Sequence, residues 1–427
     1  MPEPVAIGLD LGTSGVRAVA LSRAGTFRAM VRSARVGPVE RTDPAHLWRA
    51  VADCLSALVD ATGTDARPVA LAIAATSGSL LGLDTTGRAV TPIALYSDRG
   101  PEAVLDRIRA HAPDTAAVHG ATSPLARLIA CLVTPRVTRV AFEGDFILGR
   151  LAGRALPADV NTTLKAGADP LHATWPDWFD ALKVDRARLP GLVAPGTDLG
   201  PIAPDMARAL GLPASLRLVS GTTDGCAAAL AAGLAHAGDA VTSLGSTLIL
   251  KILSDTPVTA PRHGIYSHRL LGRWLVGGAS NAGGAALRTV FSDAQMTALA
   301  GRIDPDRPTG LRYVPLTAPG ERFPVDDPDR APVMGPRPAD DALYLQGLLE
   351  ALVRIEAEGY ATIARLGGPA AARLFSTGGG TRNPAWMRLR AAGLAPPLQT
   401  TPHAEPAFGA ARLAWSAQDD DDVGPTA

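Results

Sequence analysis

Lysine is almost missing from this chain of 427 residues: only Lys165, Lys183 and Lys251 occur. None of the three stands in G-x-x-x-x-G-K-[ST], which excludes a Walker-type phosphate loop. Cysteine is equally scarce. Cys54, Cys131 and Cys226 are odd in number and widely spaced, without a C-x-x-C pair, so neither a zinc knuckle nor a disulfide framework is readable. The eight histidines show no metal-ligand spacing, and H-E-x-x-H, G-x-S-x-G and a strand-borne G-x-G-x-x-G are absent. Charge of either sign is not in excess, since 41 Lys and Arg balance 41 Asp and Glu, which argues against a nucleic-acid surface as the main business. No apolar run reaches the roughly 18 residues of a membrane span. Met1 to Asp10 lacks a basic region followed by an apolar core, so no signal peptide is read and a soluble, cytoplasmic protein is expected. The sequon Asn161-Thr162-Thr163 is then a chance match.

What the chain has is length and glycine. At roughly 150 residues per domain its length predicts two or three domains, and 47% hydrophobic residues suffice for substantial cores. The 44 glycines call for turns and ligand loops. Val5–Leu9, Val16–Leu21 and Thr26–Val36 read as an antiparallel meander. A helix follows, with Asp43 as N-cap, Pro44 at its first position, and Leu47, Val51, Cys54, Leu55 and Leu58 on one face. The apolar strand Val69–Ala75 ends in Thr76-Ser77-Gly78, and Leu216–Val219 ends in Gly221-Thr222-Thr223-Asp224-Gly225 before an Ala-rich helix. The order then recurs. Ala240–Leu244 and Thr247–Leu253 flank Gly245-Ser246, a hairpin spans His263–Leu270 and Arg273–Gly277, and a long helix covers Asp341–Leu366. The strand Leu374–Thr377 leads through Gly378-Gly379-Gly380 to a helix over Pro384–Gly393. Two successive β-β-β-α units imply an internal duplication. The expected fold class is α/β, with two lobes and a ligand cleft between them. The boundaries read are 1–228 and 229–415, with the last helix a candidate to pack back on lobe one, and a solvated acidic tail 416–427 containing Asp419–Asp422.

Gly/Ser/Thr turns at strand ends suit phosphate, because glycine lets backbone N–H groups approach phosphoryl oxygens while hydroxyls donate. Asp10, between a strand and the turn Gly12-Thr13-Ser14, fits a carboxylate aimed at a cation beside phosphate, or an Asp that merely bonds its turn. Asp224 fits a base for a substrate hydroxyl attacking a γ-phosphoryl group, or an ordinary N-cap. Three consecutive glycines cost chain entropy and fit a flat ligand lying on the backbone. Asn383 is a candidate reader of a base or ribose, and Trp386 either flanks a ring or belongs to the core.

Asp10-Leu11-Gly12-Thr13-Ser14, Gly221-Thr222-Thr223-Asp224, Leu244-Gly245-Ser246-Thr247 and Gly378-Gly379-Gly380 resemble, in order and spacing, the motifs of FGGY carbohydrate kinases. The resemblance covers about residues 5 to 415 and implies the actin-like, RNase H-like fold and ATP-dependent transfer to a sugar hydroxyl. Within that family the chain looks most like the compact xylulokinase-like group of cyanobacteria and plants that act as D-ribulose kinases. Ala240–Leu248, Tyr266–Arg269, Gly277–Asn281, Gly320–Pro324 and Arg354–Tyr360 carry that likeness. It implies that Asp224 is the general base and that Asp10 helps place Mg²⁺ and the sugar. Thr13 and Ser14, beside Gly12, would meet the transferring phosphoryl group, and Gly245, Ser246 and Thr247 the β- and γ-phosphates. Gly379, Gly380, Asn383 and Trp386 would line the adenosine site, and Ser77 would touch the sugar. The implied cofactors are ATP and Mg²⁺, and the implied partner is a small ketose or polyol. Alternatives are another FGGY substrate, D-xylulose among them, or an actin-like ATPase or nucleotide-sensing scaffold without an acceptor. Two departures stand out: Ser77-Gly78 replaces the Met-His pair of xylulokinases, and Tyr96-Ser97-Asp98-Arg99-Gly100 replaces their Trp-x-Asp-x-x-Arg segment. Asp98 is either a sugar contact or a solvated turn.

Overall fold

The computed structural model describes residues 2–34 and 38–418, so Val36 and the acidic run Asp419–Asp422 lie outside the described residues. The chain divides into two compact units, Met1–Ala231 with His268–Gly272 and Glu405–Ala427, and Ala232–Ser267 with Arg273–Ala404. The C-terminal helix Pro406–Ser416 thus belongs to the first unit, and the second ends earlier than the 229–415 read from sequence.

The first unit is built on a seven-stranded sheet. β1 (Glu3–Gly12), β2 (Gly15–Ser22) and β3 (Phe27–Ala34) form the expected meander. After α1 (Pro44–Thr62), β4 (Ala66–Ala75) pairs parallel to β1. β5 (Asp198–Pro201) and β6 (Arg217–Val219) extend the sheet in the order β3-β2-β1-β4-β6-β5, and β7 (Thr222–Thr223) pairs with the end of β4. Before these, the helix α2 (Glu143–Ala152) packs against β4. α1 starts as its sequence predicts, with Asp43 accepting from the Ala45 N–H at 2.9 Å and Pro44 at its first position.

Side chains alternate across β1 and β4, and the two faces differ in size. Val5, Ile7, Leu9 and Leu11 join Leu71 and Ile73 and the buried stripe of α1 in the main core. Ala6 and Gly8, with Ala70, Ala72 and Ala74, make a shallow opposite face on which the C-terminal helix lies. The approach is close enough that a Cβ on Gly8 would stand 1.9 Å from the Ala407 carbonyl oxygen. Trp415 secures the far end by donating to the Leu21 carbonyl at 3.0 Å. Asp10 continues this small-residue face, two positions after Gly8.

The second unit carries a five-stranded sheet, except that residues His268–Leu270 of one strand group with the first unit. β8 (Asp239–Leu244), β9 (Leu248–Ser254), β10 (Tyr266–Leu270) and β11 (Arg273–Ala279) precede the long helix α4, which we number after α3 (Asp224–Ala232) and which spans Asp341–Arg365. β12 (Arg373–Thr377) and α5 (Pro384–Gly393) follow. The order is β10-β11-β9-β8-β12. Its inner frame β9-β8-β12 repeats β2-β1-β4: an antiparallel hairpin, then a strand returning parallel to the first after a helix. This is the α/β duplication expected from sequence. Among the described residues no helix is long and apolar enough to cross a membrane.

Candidate active site

Asp10 lies at the end of β1, 2% exposed, directly across the ladder from Arg17 on β2. The Arg17 Nη1 donates to Asp10 Oδ2 at 2.8 Å. Glu405, at the head of the C-terminal helix, brings Oε2 to 3.1 Å from Arg17 Nε, within ion-pair range but not aligned for a hydrogen bond. Burial pushes the Asp10 carboxyl up to about 6; Arg17 opposes the rise, while the charges of Asp224 and Glu405 add to it. The fold therefore brings Asp10 and Glu405 to one guanidinium, with Asp224 near enough for its charge to act on Asp10.

Asp224 opens α3 and is exposed. It does not serve as the helix cap. Thr223 does, its Oγ1 accepting from the Cys226 N–H at 3.3 Å, while Asp224 Oδ1 accepts the adjacent Gly225 N–H in the helix start, at 2.7 Å. The exposed pair Thr13 and Ser14 forms the two-residue turn between Gly12, which ends β1, and Gly15, which starts β2. A Cβ on Gly12 would meet the Arg17 guanidinium at 3.0 Å, so this glycine makes room for the Asp10–Arg17 pair. Beside the turn is a cavity of about 140 Å³ bordered by Leu11, Thr13, Thr76, Tyr96 and Glu143. Ser77, on the loop after β4, has a buried Oγ without a hydrogen-bond partner. Asp98 is exposed and accepts from the Leu95 N–H at 2.8 Å, which accounts for it as a turn residue.

The second unit gathers the other predicted residues. A cavity of about 130 Å³ is lined by Gly245, Gly379, Gly380, Asn383 and Trp386, together with Gly284 and Arg288. Gly284 N–H donates to the Gly245 carbonyl at 2.9 Å and Ala285 N–H to the Ser246 carbonyl at 3.0 Å, which fixes the hairpin loop. Ser246 is exposed and Thr247 half-buried. Asn383 caps α5, its side-chain oxygen accepting from Ala385 N–H at 3.0 Å and Trp386 N–H at 3.1 Å. Trp386 belongs to the core at 2% exposure, yet its buried Nε1 has no partner. Internal packing explains Gly380, where a Cβ would strike Trp386 at 2.6 Å and Leu244 at 2.7 Å. Gly379 is different: a Cβ there would meet nothing nearer than the flexible end of Arg382 at 3.5 Å.

The model of the N-terminal domain of the FGGY family of carbohydrate kinases matches residues 5–123, and that of the C-terminal domain matches 240–418. The chain belongs to the FGGY carbohydrate kinases. It is 27% identical to a xylulose kinase of Escherichia coli over 96% of this chain and 89% of that protein. It is 26% identical to an L-fuculokinase of Salmonella typhi over 97% of this chain and 93% of that one. A xylulose kinase structure from Rhodospirillum rubrum superposes with a TM-score of 0.84 at 25% identity, covering 98% of this chain and 90% of the other. A gluconate kinase from Lactobacillus acidophilus gives 0.83 at 17% identity with the same coverages, a likeness of fold.

Several residues of this FGGY kinase's site escape a reading by motif. Arg17 and Glu405 look like ordinary surface charges, and the signal for Arg17 is only its ladder position opposite Asp10. Asn161, the chance sequon, is 0% exposed; its Nδ2 donates to Thr222 Oγ1 at 2.9 Å and to the Arg269 carbonyl at 2.6 Å. It thereby anchors the strand that delivers Asp224. Three of the stretches carrying the ribulose-kinase likeness pack on one another. Phe323 is fully buried against Gly278 and Gly359, and Glu321 accepts from Ser280 Oγ at 2.6 Å and Asn281 N–H at 2.7 Å.

Proposed function

We propose that this FGGY sugar kinase transfers the γ-phosphoryl group of ATP to the terminal hydroxyl of a ketopentose, D-ribulose foremost, giving D-ribulose 5-phosphate. The observation that carries the choice of sugar is at Ser77-Gly78. Gly78 has φ +85°, and a Cβ there would lie 2.3 Å from the Pro124 ring, so a histidine of the xylulokinase type has no room. The unpartnered Ser77 hydroxyl beside it supports contact with a polyhydroxylated acceptor. D-Ribulose and D-xylulose differ only in configuration at C3, so a change at one contact suffices to alter the preference.

In this reading Asp224 accepts the proton of the attacking hydroxyl as its oxygen bonds to the γ-phosphorus and the bond to the β-phosphate bridge oxygen breaks. Such general-base help contributes about 10²–10⁴ in rate. Thr13 and Ser14 donate hydroxyls to the phosphoryl group in transfer, and the Gly245-Ser246-Thr247 loop holds the β- and γ-phosphates. Gly379, Gly380, Asn383 and Trp386 accommodate the adenosine. Asp10 orients the acceptor and offers one carboxylate to a cation. The donor set fits Mg²⁺ arriving on a triphosphate: Asp10 Oδ2 is tied to Arg17 but the surrounding carboxyls are net anionic, and no cluster of three metal-binding side chains occurs among the described residues. Mg²⁺ there would supply charge neutralisation of the phosphates.

The names of the xylulose kinase relatives favour D-xylulose as the second reading. Coupled ADP-release assays with D-ribulose, D-xylulose, L-ribulose, ribitol and glycerol separate the two. Fastest turnover per KM with D-ribulose is expected, and a preference for D-xylulose overturns the sugar assignment. Asp224→Ala should bind nucleotide and lose sugar-dependent ADP formation; near-normal turnover removes the base, and ADP release indifferent to every sugar removes the acceptor.

A further inference from the structure

The row of residues that starts at Asp10 and crosses β1, β2 and β3 contains a conflict of charge. Asp10 stands opposite Arg17 in the ladder, and Arg17 stands opposite Arg32, so two guanidinium groups occupy facing positions on neighbouring strands. Like charges in that arrangement repel and destabilise a sheet. Glu405 answers both. Its Oε2 lies 3.1 Å from Arg17 Nε, and its Oε1 accepts from Arg32 Nη2 at 3.0 Å. Glu405 occupies the N-cap position of the C-terminal helix, yet its side chain makes no capping bond and is turned to the two arginines instead. The sequence of contacts Asp10, Arg17, Glu405, Arg32 therefore alternates in sign, with two acids for two guanidinium groups.

Exposure rises along this row, from the buried Asp10 carboxylate through Arg17 and Glu405 to Arg32, whose side chain is 55% exposed. Arg17 thus has a buried acid at one edge of its guanidinium and a partly exposed one at the other. Nη1 donates to Asp10 at 2.8 Å, while Nε, facing Glu405, makes no hydrogen bond. Glu405 holds that edge by charge and not by an aligned bond. Without its charge, Arg32 would face Arg17 uncompensated and drive it onto Asp10, the remaining acid of the row. Asp10 would then be bound more tightly to Arg17 and less free to turn to an acceptor hydroxyl.

We propose that Glu405 is a positioning residue for phosphoryl transfer: by sharing Arg17 and shielding it from Arg32, it leaves Asp10 free to orient the acceptor. The inference rests on the reading of Asp10 as the acceptor-orienting carboxylate. The test is ADP release by the full chain with D-ribulose and with D-xylulose, alongside urea unfolding and calorimetric ATP binding. Glu405→Gln keeps the length of the side chain and an oxygen for Arg32 but removes the charge. Its kcat should fall about three- to fivefold, the scale of a partly exposed ion pair, with the urea midpoint and the Kd for ATP close to the parent's. Adding Arg32→Met removes the repulsion and should restore most of the lost kcat. A residue that merely docks the helix gives the opposite result, because the double variant has lost both contacts and is no faster and no more stable than the single one. That result, or a Glu405→Gln variant as fast as the parent, overturns the positioning role. Asp10→Asn tests the reading beneath it: full activity in that variant, or a parent inert towards both sugars, removes the reading and the positioning role together. An inactive Asp10→Asn beside a fully active Glu405→Gln overturns the positioning role alone.

Discussion

Gly409 of the C-terminal helix rests on Ala227 of α3 so closely that a Cβ on Gly409 would stand 1.8 Å from the Ala227 carbonyl oxygen. The same helix meets β1 at Gly8. One element therefore touches both the strand that carries Asp10 and the helix that Asp224 opens, and it begins at Glu405, which pairs with Arg17. Small-residue packing at Gly8 and Gly409 thus helps set the two aspartates relative to each other.

Gly409→Ala should break that setting. The contact is to backbone, which has no rotamer to move, so the cost is expected at the upper end of the about 1–3 kcal/mol typical of overpacking. Urea unfolding measures it, and kcat should fall with the Kd for nucleotide little changed. A variant as stable and as fast as the parent would show that the helix can slide.

Asp10 gives a pH signature with a definite sign. Its native pKa of about 6 lies above the ordinary 3.8, so the native state holds a proton that the unfolded chain has lost between those values. Stability contributed by the protonated form is present below the lower value and declines as pH rises through the upper one, by up to about 3 kcal/mol. Asp10→Asn has no such titration. Its stability relative to the parent should therefore climb between about pH 4 and about pH 7, while its kcat collapses. A stability difference that stays flat with pH would show that burial does not strain this carboxylate.

Much of this was legible beforehand, for a physical reason. Glycine and hydroxyl turns at strand ends are local features, so the positions of Gly12-Thr13-Ser14, Gly245-Ser246-Thr247 and Asp224 declare themselves in the sequence. Arg17, Glu405 and Asn161 do not, because their roles depend on partners 7, 388 and 61 residues away along the chain at Asp10, Arg17 and Thr222. Packing adds causes that local logic does not see: at Gly380 Trp386 and Leu244 leave no space for a Cβ, and the Asn383 oxygen caps α5. The stretch Arg354–Tyr360, which resembles the ribulose-kinase group, contributes Glu356 and Tyr360 to a buried network.

That network is the strongest polar feature of the second unit. Arg390 and Glu356 are both 0% exposed and joined by two hydrogen bonds of 2.8 and 2.7 Å, with Ser376 and Thr242 satisfying further positions. Removing one charge leaves the other buried alone, so Glu356→Leu should cost about 3–5 kcal/mol in urea unfolding. Replacing both, with Arg390→Leu added, should recover part of that loss. A double variant no more stable than the single would mean that cavity formation, and not the orphaned charge, dominates.

The adjacent glycines of the triple-glycine turn separate ligand binding from packing. Gly380 faces Trp386 and Leu244 at 2.6 and 2.7 Å, whereas Gly379 has only Arg382 near it, at 3.5 Å. Gly380→Ala should displace the Trp386 ring, shift its fluorescence and lower stability by about 1–3 kcal/mol. Gly379→Ala should leave stability within about 0.5 kcal/mol, as for a surface change. If the backbone here lies against a flat ring, the added methyl at residue 379 should nonetheless raise the Kd for ATP severalfold, with KM for the sugar unchanged. Equal nucleotide affinity in the parent and Gly379→Ala would place the adenine elsewhere, and would leave the triple glycine explained by Trp386 alone.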